Sequence, residues 1–479
     1  MALVLAAFLC VASGFALASL TVLRGSSFAT DLLLRASMSV GYGLGIFSVV
    51  FLLCRIFSVT KLIAVDGAVF VLLLGLSVVF RVRRGPGVSI APTGTREPTW
   101  LRRLLASSFC VALGVAAYSA VRRALAHPHG DGWDAFAIWN LHARFLFLGG
   151  SHWRDGFSAL IPWSHPDYPL LLPGAIAHFW SYLGYDDPRV PAVIGLLFTF
   201  STIGLLFSAL AILRGHTPAL LAALALSATP FFIEQGTSQY ADIPLSFFVL
   251  TTIALLCLYD DRSVSSSAPR RLLVGAGLAV SLAAWTKNEG LLFLCAILAV
   301  RFLVLLRPRF LRRASAPQNE TRLESWIAFG ILLLAVAPGV LLIAWFKHSL
   351  APPGDLFSDP ATSLHRLLDP ARYWAILKWY VKGFLRFGNW LLIPGTLAML
   401  GFYLITRNPT CRKPAPGVRP SVVALSLTLA GYFAVYLITP YDIYWHLRFS
   451  LTRLFLQLWP SAIFLFFLTV PLSSNGPEA

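Results

Sequence analysis

The feature that most constrains this chain is a succession of about thirteen long apolar runs, near 2–22, 37–54, 62–80, 104–121, 191–213, 218–233, 242–259, 272–286, 290–306, 326–346, 389–406, 421–438 and 454–470. A helix needs about 20 mostly apolar residues to cross the ~30 Å hydrocarbon layer. Only helices and closed barrels satisfy their backbone groups there. The expected fold is therefore an all-α polytopic membrane protein of about thirteen transmembrane helices. Composition agrees, since 479 residues that are 57% hydrophobic and only 12% charged cannot cover a soluble body of that size. A nucleic-acid reading of the net charge of +17 drops out with it. The six cysteines are scattered, five of them inside apolar runs, with neither disulfide nor metal-ligand spacing. The first run lacks a basic leader and a clean cleavage site before Arg24, so it reads as a retained span.

Lys and Arg collect in alternate connections: Arg81 through Arg103, Arg262 with Arg270 and Arg271, Arg307 through Arg322, and Arg407 through Arg419. The cytoplasmic side retains such residues, so these loops are expected inside and the intervening ones outside. Two long segments fall outside, 122–190 and 347–388. Residues 134–148 read as a helix with aromatics on most faces, and 370–387, with Trp374, Trp379, Tyr380, Lys378, Lys382 and Arg386, look similar. Both suit amphipathic juxtamembrane helices roofing a cavity between spans.

The ionisable residues of the outer face gather at loop ends. Asp131 and Asp134 stand just beyond the fourth span, and either is a candidate general base. Trp133, Phe136 and Trp139 would desolvate such a carboxylate and tighten its hold on a proton. Capping of the helix that follows is the plainer role for both. His165, Asp167 and Tyr168, in a proline-stiffened return to the membrane, could shape an acceptor pocket or merely satisfy a turn. Asp242 opens one apolar run, and Lys287 and Glu289 occupy a turn between two others. Charges so near hydrocarbon must pair or line a polar cavity, and a helix-holding pair of Lys287 with Glu289 or Asp242 is the plain alternative. His446 and Arg453 flank the start of the last run, where an arginine fork and a histidine can grip a phosphate whose alkyl tail stays in lipid.

Taken in order, these motifs resemble the GT-C superfamily of membrane glycosyltransferases, in particular bacterial family-39-type and Rgt-type enzymes that use polyprenyl-phosphate-linked sugars. The likeness rests on Asp134-Ala135-Phe136, Ala143-Arg144, His165 through Leu170, Asp242-Ile243-Pro244-Leu245, Thr286-Lys287-Asn288, and Arg453 with Phe455 and Pro460. It spans roughly residues 104–470. Ala135 stands where the pattern has an acidic residue and the Asp134 to Arg144 spacing is one longer, so Asp131 stays a rival for the base. The resemblance implies three parts: extra helices and a basic cytoplasmic loop (1–103), a GT-C-like glycosyltransferase domain (104–470) and a short cytoplasmic tail (471–479).

The implied activity is inverting transfer of a sugar from a polyprenyl phosphate to a cell-envelope acceptor: a lipid-linked glycan, lipopolysaccharide or protein. It would take place on the periplasmic side of a bacterial inner membrane. Asp134 or Asp131 would act as base, with Lys287, Arg453 and His446 at the donor phosphate. His165, Asp167, Tyr168, Asp242 and Glu289 would contact the acceptor or orient the others. No residue cluster compels a metal and the resemblance fixes no cofactor; a divalent cation stays open, since some relatives use one. The competing expectation is a multi-span transporter or a flippase-type partner in glycan export, in which intramembrane charges mark a transport path.

Overall fold

Among the described residues the apolar runs become helices, and no strand occurs. The structure, a computed structural model, describes residues 1–22, 27–83, 99–261, 270–306, 322–357, 360–390, 395–406 and 417–470. Most of the basic connections, Cys411 and the expected tail at 471–479 lie outside them. The helices are α1 (Ala2–Thr21), α2 (Phe28–Ile56), α3 (Leu62–Arg83), α4 (Thr99–Ala126), α5 (Asn140–Leu148), α6 (Leu171–Leu183), α7 (Arg189–Arg214), α8 (His216–Ser227), α9 (Pro230–Thr237) and α10 (Asp242–Asp260). They continue with α11 (Arg271–Thr286), α12 (Asn288–Leu306), α13 (Arg322–Ser349), α14 (Pro360–Leu367), α15 (Pro370–Arg386), α16 (Gly395–Thr406), α17 (Val418–Ile438) and α18 (Ile443–Thr469).

Ten of these are long and apolar enough to cross a membrane, or eleven when α8 and α9 count as one span bent by 63°. Among the described residues the expected count of thirteen is therefore not confirmed. The bend falls where Pro230 opens a new helix after Thr229, because proline has no amide proton for the preceding turn. The remaining two runs form α11 and α16, of 16 and 12 residues. At 1.5 Å per residue α11 measures about 24 Å, yet it leads from the connection after α10 back to Lys287 at the Asp242 end, and so runs the length of the bundle.

The middle of the bundle is α10, every residue of which from Asp242 to Tyr259 is buried. A helix apolar on all sides suits either a core or lipid, and here its neighbours enclose it. Around it pack α7, α11 and α18. The first helices join this core directly. A Cβ on Gly43 would collide with the Cys10 carbonyl, so α1 and α2 cross with backbones almost touching. The Tyr42 hydroxyl donates to the Gly275 carbonyl at 2.9 Å, and Trp285 Nε1 donates to Ser48 Oγ at 3.1 Å, tying α2 to α11. Between α3 and α6, the fully enclosed Asp66 Oδ2 lies 2.8 Å from His178 Nε2 and accepts from the Tyr182 hydroxyl at 2.5 Å.

The first long connection folds as a π-helical turn (Ala135–Trp139) running into α5, two 3₁₀ turns (Gly150–Phe157 and Pro162–Ser164) and α6. The second holds α14 and α15. Asp369 caps α15 by accepting the Ala371 amide at 2.9 Å, with Pro370 in the first turn. One face of α15 buries Ile376 and sets Gly383 against Leu451 and Phe455 of α18. The other face exposes Trp374, with Lys378 over its ring.

Candidate active site

Four chain segments distant in sequence meet at one end of the bundle. The π-helical turn is opened by Asp134, whose side chain makes no capping bond to it. Its Oδ2 instead accepts from Arg453 Nη1 of α18 at 2.5 Å. Arg453 also lies 3.9 Å from Asp242 Oδ2 at the start of α10, and its guanidinium carbon sits 5.0 Å from the Tyr240 ring. Asp242 Oδ1 in turn accepts from Lys287 Nζ at 3.0 Å, and Lys287 reaches Glu289 Oε1 at 2.9 Å. The turn bearing Lys287 is tight because Gly290 packs onto the Ala283 carbonyl, leaving no room for a Cβ. The pairs of Lys287 with Asp242 and Glu289, expected as the plain alternative, therefore both exist, and they do so inside a larger cluster.

Beside it, His165 takes the left-handed backbone conformation, at φ 50°, and stacks on Tyr168, with ring centroids 4.9 Å apart. Tyr168 stacks on Trp139 at 5.6 Å, and Lys287 Nζ stands 5.9 Å from the Tyr168 ring. Burial, and then the carboxylates of Glu289, Asp167 and Asp134, push the Tyr168 hydroxyl well above its ordinary value. It stays protonated, as a hydrogen-bond donor amid these charges. Tyr240 is pushed up to about 12 by burial and by Asp134. Asp167 Oδ2 accepts from Asn288 Nδ2 at 2.8 Å and lies 3.4 Å from Lys347 Nζ.

Two placements differ from expectation. Asp131 is held by Arg123 Nε at 2.7 Å, Ser238 Oγ at 3.3 Å and His127 Nδ1 at 3.4 Å, and makes no contact with Lys287 or Arg453. The aromatic wall foreseen around Asp134 is mostly missing, since Trp133 and Phe136 face outward and only Trp139 is enclosed. His446 is engaged outside the cluster, with Nδ1 2.9 Å from Thr439 Oγ1 and its ring against Tyr436 and Tyr441. Arg144 is engaged elsewhere, with Asp186 at 2.8 Å. Lys347, Gln457 and Tyr432 were not foreseen. Lys347 ends the run at 326–346 and Gln457 is a lone amide within the last run, so each stood out only as a polar residue in an apolar stretch.

Each carboxylate of the cluster has a fixed cation beside it, and among the described residues no three His, Cys, Asp or Glu side chains group as metal ligands. Two polar atoms face inward without a partner among the described residues, Arg453 Nε and Glu289 Oε2. The arrangement thus offers an unused donor on a guanidinium and an unused carboxylate acceptor a short distance from a carboxylate that could take a proton.

Residues 165–340 match the family model described as dolichyl-phosphate-mannose-protein mannosyltransferase. The chain is a membrane glycosyltransferase, similar over those residues to the GT-C type. No curated protein and no solved structure matches it. Membership in this class decides between transferase and carrier, and carries with it a polyprenyl-phosphate-linked sugar as donor in general terms. The match includes His165, Asp167, Tyr168, Asp242, Lys287 and Glu289, whereas Asp131, Asp134, His446 and Arg453 lie beyond its ends. Of the unmatched residues of this glycosyltransferase, Asp134 and Arg453 join the matched Asp242, Lys287 and Glu289 in one cluster.

Proposed function

We propose that the cluster is the transfer site and that it works by inversion with Asp134 as general base. The acceptor hydroxyl gives its proton to the Asp134 carboxylate as its oxygen attacks the anomeric carbon. The bond from that carbon to the phosphate oxygen breaks, and polyprenyl phosphate leaves with the electron pair. Positive groups already in position are worth most there, because they meet growing negative charge without reorganising. Arg453, through Nε, and Lys287 fill that role, with His446 at the rim. Glu289 Oε2 is a ready acceptor for a hydroxyl of the transferred sugar. Asp167 and Tyr168 border the acceptor.

The observation that carries this reading is the contact of Arg453 with Asp134, which joins the last helix and the first outer segment to the Asp242 and Lys287 cluster. Sidedness is supported by the helices themselves. Asp242 and Asn288 open α10 and α12 at the cluster, and the far ends of both helices lead into basic connections. The proposed site therefore faces away from the cytoplasm, in a bacterial inner membrane, with a cell-envelope glycan, lipopolysaccharide or protein as acceptor. The resemblance supports α1–α3 as additions to the transferase proper, with the division moved from residue 103, which falls inside α4, to the start of that helix at Thr99.

The test is transfer from a polyprenyl-phosphate sugar to envelope acceptors in membranes bearing wild type or Asp134→Asn. A base of this kind contributes roughly 10²- to 10⁴-fold, and a loss of that order is expected. Full activity in the variant would remove Asp134 from the mechanism.

A further inference from the structure

One turn beyond Arg453 on α18 lies Gln457, wholly enclosed at 0% exposure, an unusual place for an amide. Its Nε2 is 2.6 Å from Asp242 Oδ1 and its Oε1 is 2.7 Å from the Tyr432 hydroxyl. Tyr432, on α17, is itself 2% exposed. An ionised carboxylate only accepts, so the amide must turn its NH₂ toward Asp242 and its carbonyl toward Tyr432, whose hydroxyl must then donate. The direction of every bond in the chain from Tyr432 to Gln457 to Asp242 follows from that one charge.

Asp242 is also the group that Lys287 and Arg453 share, at 3.0 and 3.9 Å. We propose that Gln457 and Tyr432 are positioning residues for the transfer reaction: they anchor the Asp242 carboxylate from behind and so fix Lys287 and Arg453 where a lipid phosphate meets them. This rests on the assignment above of those two cations to the donor phosphate. The physical reason is competition. A neutral amide donor satisfies part of the carboxylate's bonding capacity at no cost in positive charge. Without it, Asp242 draws more fully on Lys287 and Arg453, and both turn from the ligand toward their internal partner. Preorganised donors lose their value when they must first be pulled away.

The experiment compares wild type with Gln457→Leu, Tyr432→Phe, the double variant and Gln457→Glu, each purified in detergent and matched for the amount of monodisperse protein. Two quantities are read: kcat for transfer, and affinity for a short polyprenyl monophosphate offered without sugar. In Gln457→Leu both are expected to fall by roughly tenfold, with the acceptor KM unchanged. Tyr432→Phe is expected to fall less, and the double variant no further than Gln457→Leu, because the two act through one chain. Gln457→Glu supplies the missing donor only while its carboxyl keeps a proton, so its activity relative to wild type should rise as pH falls. A mere packing role would not produce that profile. Unchanged kcat and phosphate affinity in Gln457→Leu would overturn the proposal, as would losses that multiply in the double variant or a flat relative profile for Gln457→Glu. Wild-type protein that binds the lipid phosphate but transfers no sugar would sink the transfer reading alone, since binding still reports on the positioning chain. Wild-type protein that binds no lipid phosphate would overturn both.

Discussion

Asp134 and Arg453 stand 319 positions apart in the chain, yet Arg453 Nη1 donates to Asp134 Oδ2 at 2.5 Å. The pair extends the chain of contacts that runs from Glu289 through Lys287 to Asp242, and under the proposed mechanism it sets the two candidate bases apart. Asp131 spends its carboxylate on Arg123, His127 and Ser238, three residues outside that chain of contacts. Asp131→Asn is therefore expected to reduce transfer by less than about tenfold, against roughly 10²-fold or more for Asp134→Asn. Initial rates in matched membranes check the order, and a reversal moves the base to Asp131.

Arg453 supplies geometry as well as charge. One nitrogen holds Asp134, another is unused, and the planar group lies over Tyr240. Lysine keeps the charge but has neither the fork nor the flat face. Arg453→Lys is expected to lose about 10²-fold in kcat, a size usual for removing a transition-state donor. Near-normal kcat would mean that charge alone suffices there.

Lys287 is enclosed between two carboxylates, with its side chain 5% exposed and that of Asp242 2%. Lys287→Met leaves Asp242 and Glu289 facing each other without their shared cation. Breaking a buried pair from one side typically costs about 3–5 kcal/mol. A large drop in detergent melting temperature is expected, with part of it restored by adding Asp242→Asn. If the single variant melts like wild type, the pair contributes nothing to the fold.

Much of this was legible beforehand, and the reason is chemical. Ionisable residues beside hydrocarbon are costly unless used, so Asp242, Lys287, Glu289 and Arg453 stood out against apolar neighbours. Helix identity followed from run length in the same way. The bend at Thr229 was not legible, because apolar composition alone does not say whether a run continues straight or turns within the protein. Which carboxylate Arg453 would choose was equally hidden. That depends on how α18 sits against the π-helical turn, a long-range packing outcome with no local signal. Gln457 and Lys347 were visible as polar residues, but their partners lie on other helices.

Below neutral pH the first outer segment is expected to loosen through His142. Its ring is enclosed against Phe157, with Nε2 3.4 Å from Ser164 Oγ. Burial chiefly, and then the nearby His165, lower its pKa to about 4, while Asp167 opposes the shift. A folded-state value below the unfolded one near 6.5 means that this contribution is complete above about pH 6.5 and is lost as pH falls toward 4. At pH 5 the loss amounts to about 2 kcal/mol. Melting temperatures at pH 7.5 and 5 should diverge in wild type and converge in His142→Leu. An equal acid sensitivity in that variant would assign the effect to another group.

Lys347 is the bolt between the proposed acceptor side and the transmembrane helices. Its ammonium donates to the Asp167 carbonyl at 2.5 Å and to Asn288 Oδ1 at 2.9 Å, and lies 3.4 Å from Asp167 Oδ2. With its donors all engaged, it holds the segment from His165 to Leu170 against the start of α12 and has little left to offer a ligand. Lys347→Met frees that segment without touching Arg453 or Asp134, so the expected signature is a rise of roughly tenfold in acceptor KM with kcat nearly retained, as for lost uniform binding. Steady-state kinetics with a varied acceptor separate the two parameters. An unchanged acceptor KM with a collapsed kcat would instead put Lys347 beside the reacting atoms and move the acceptor away from Asp167.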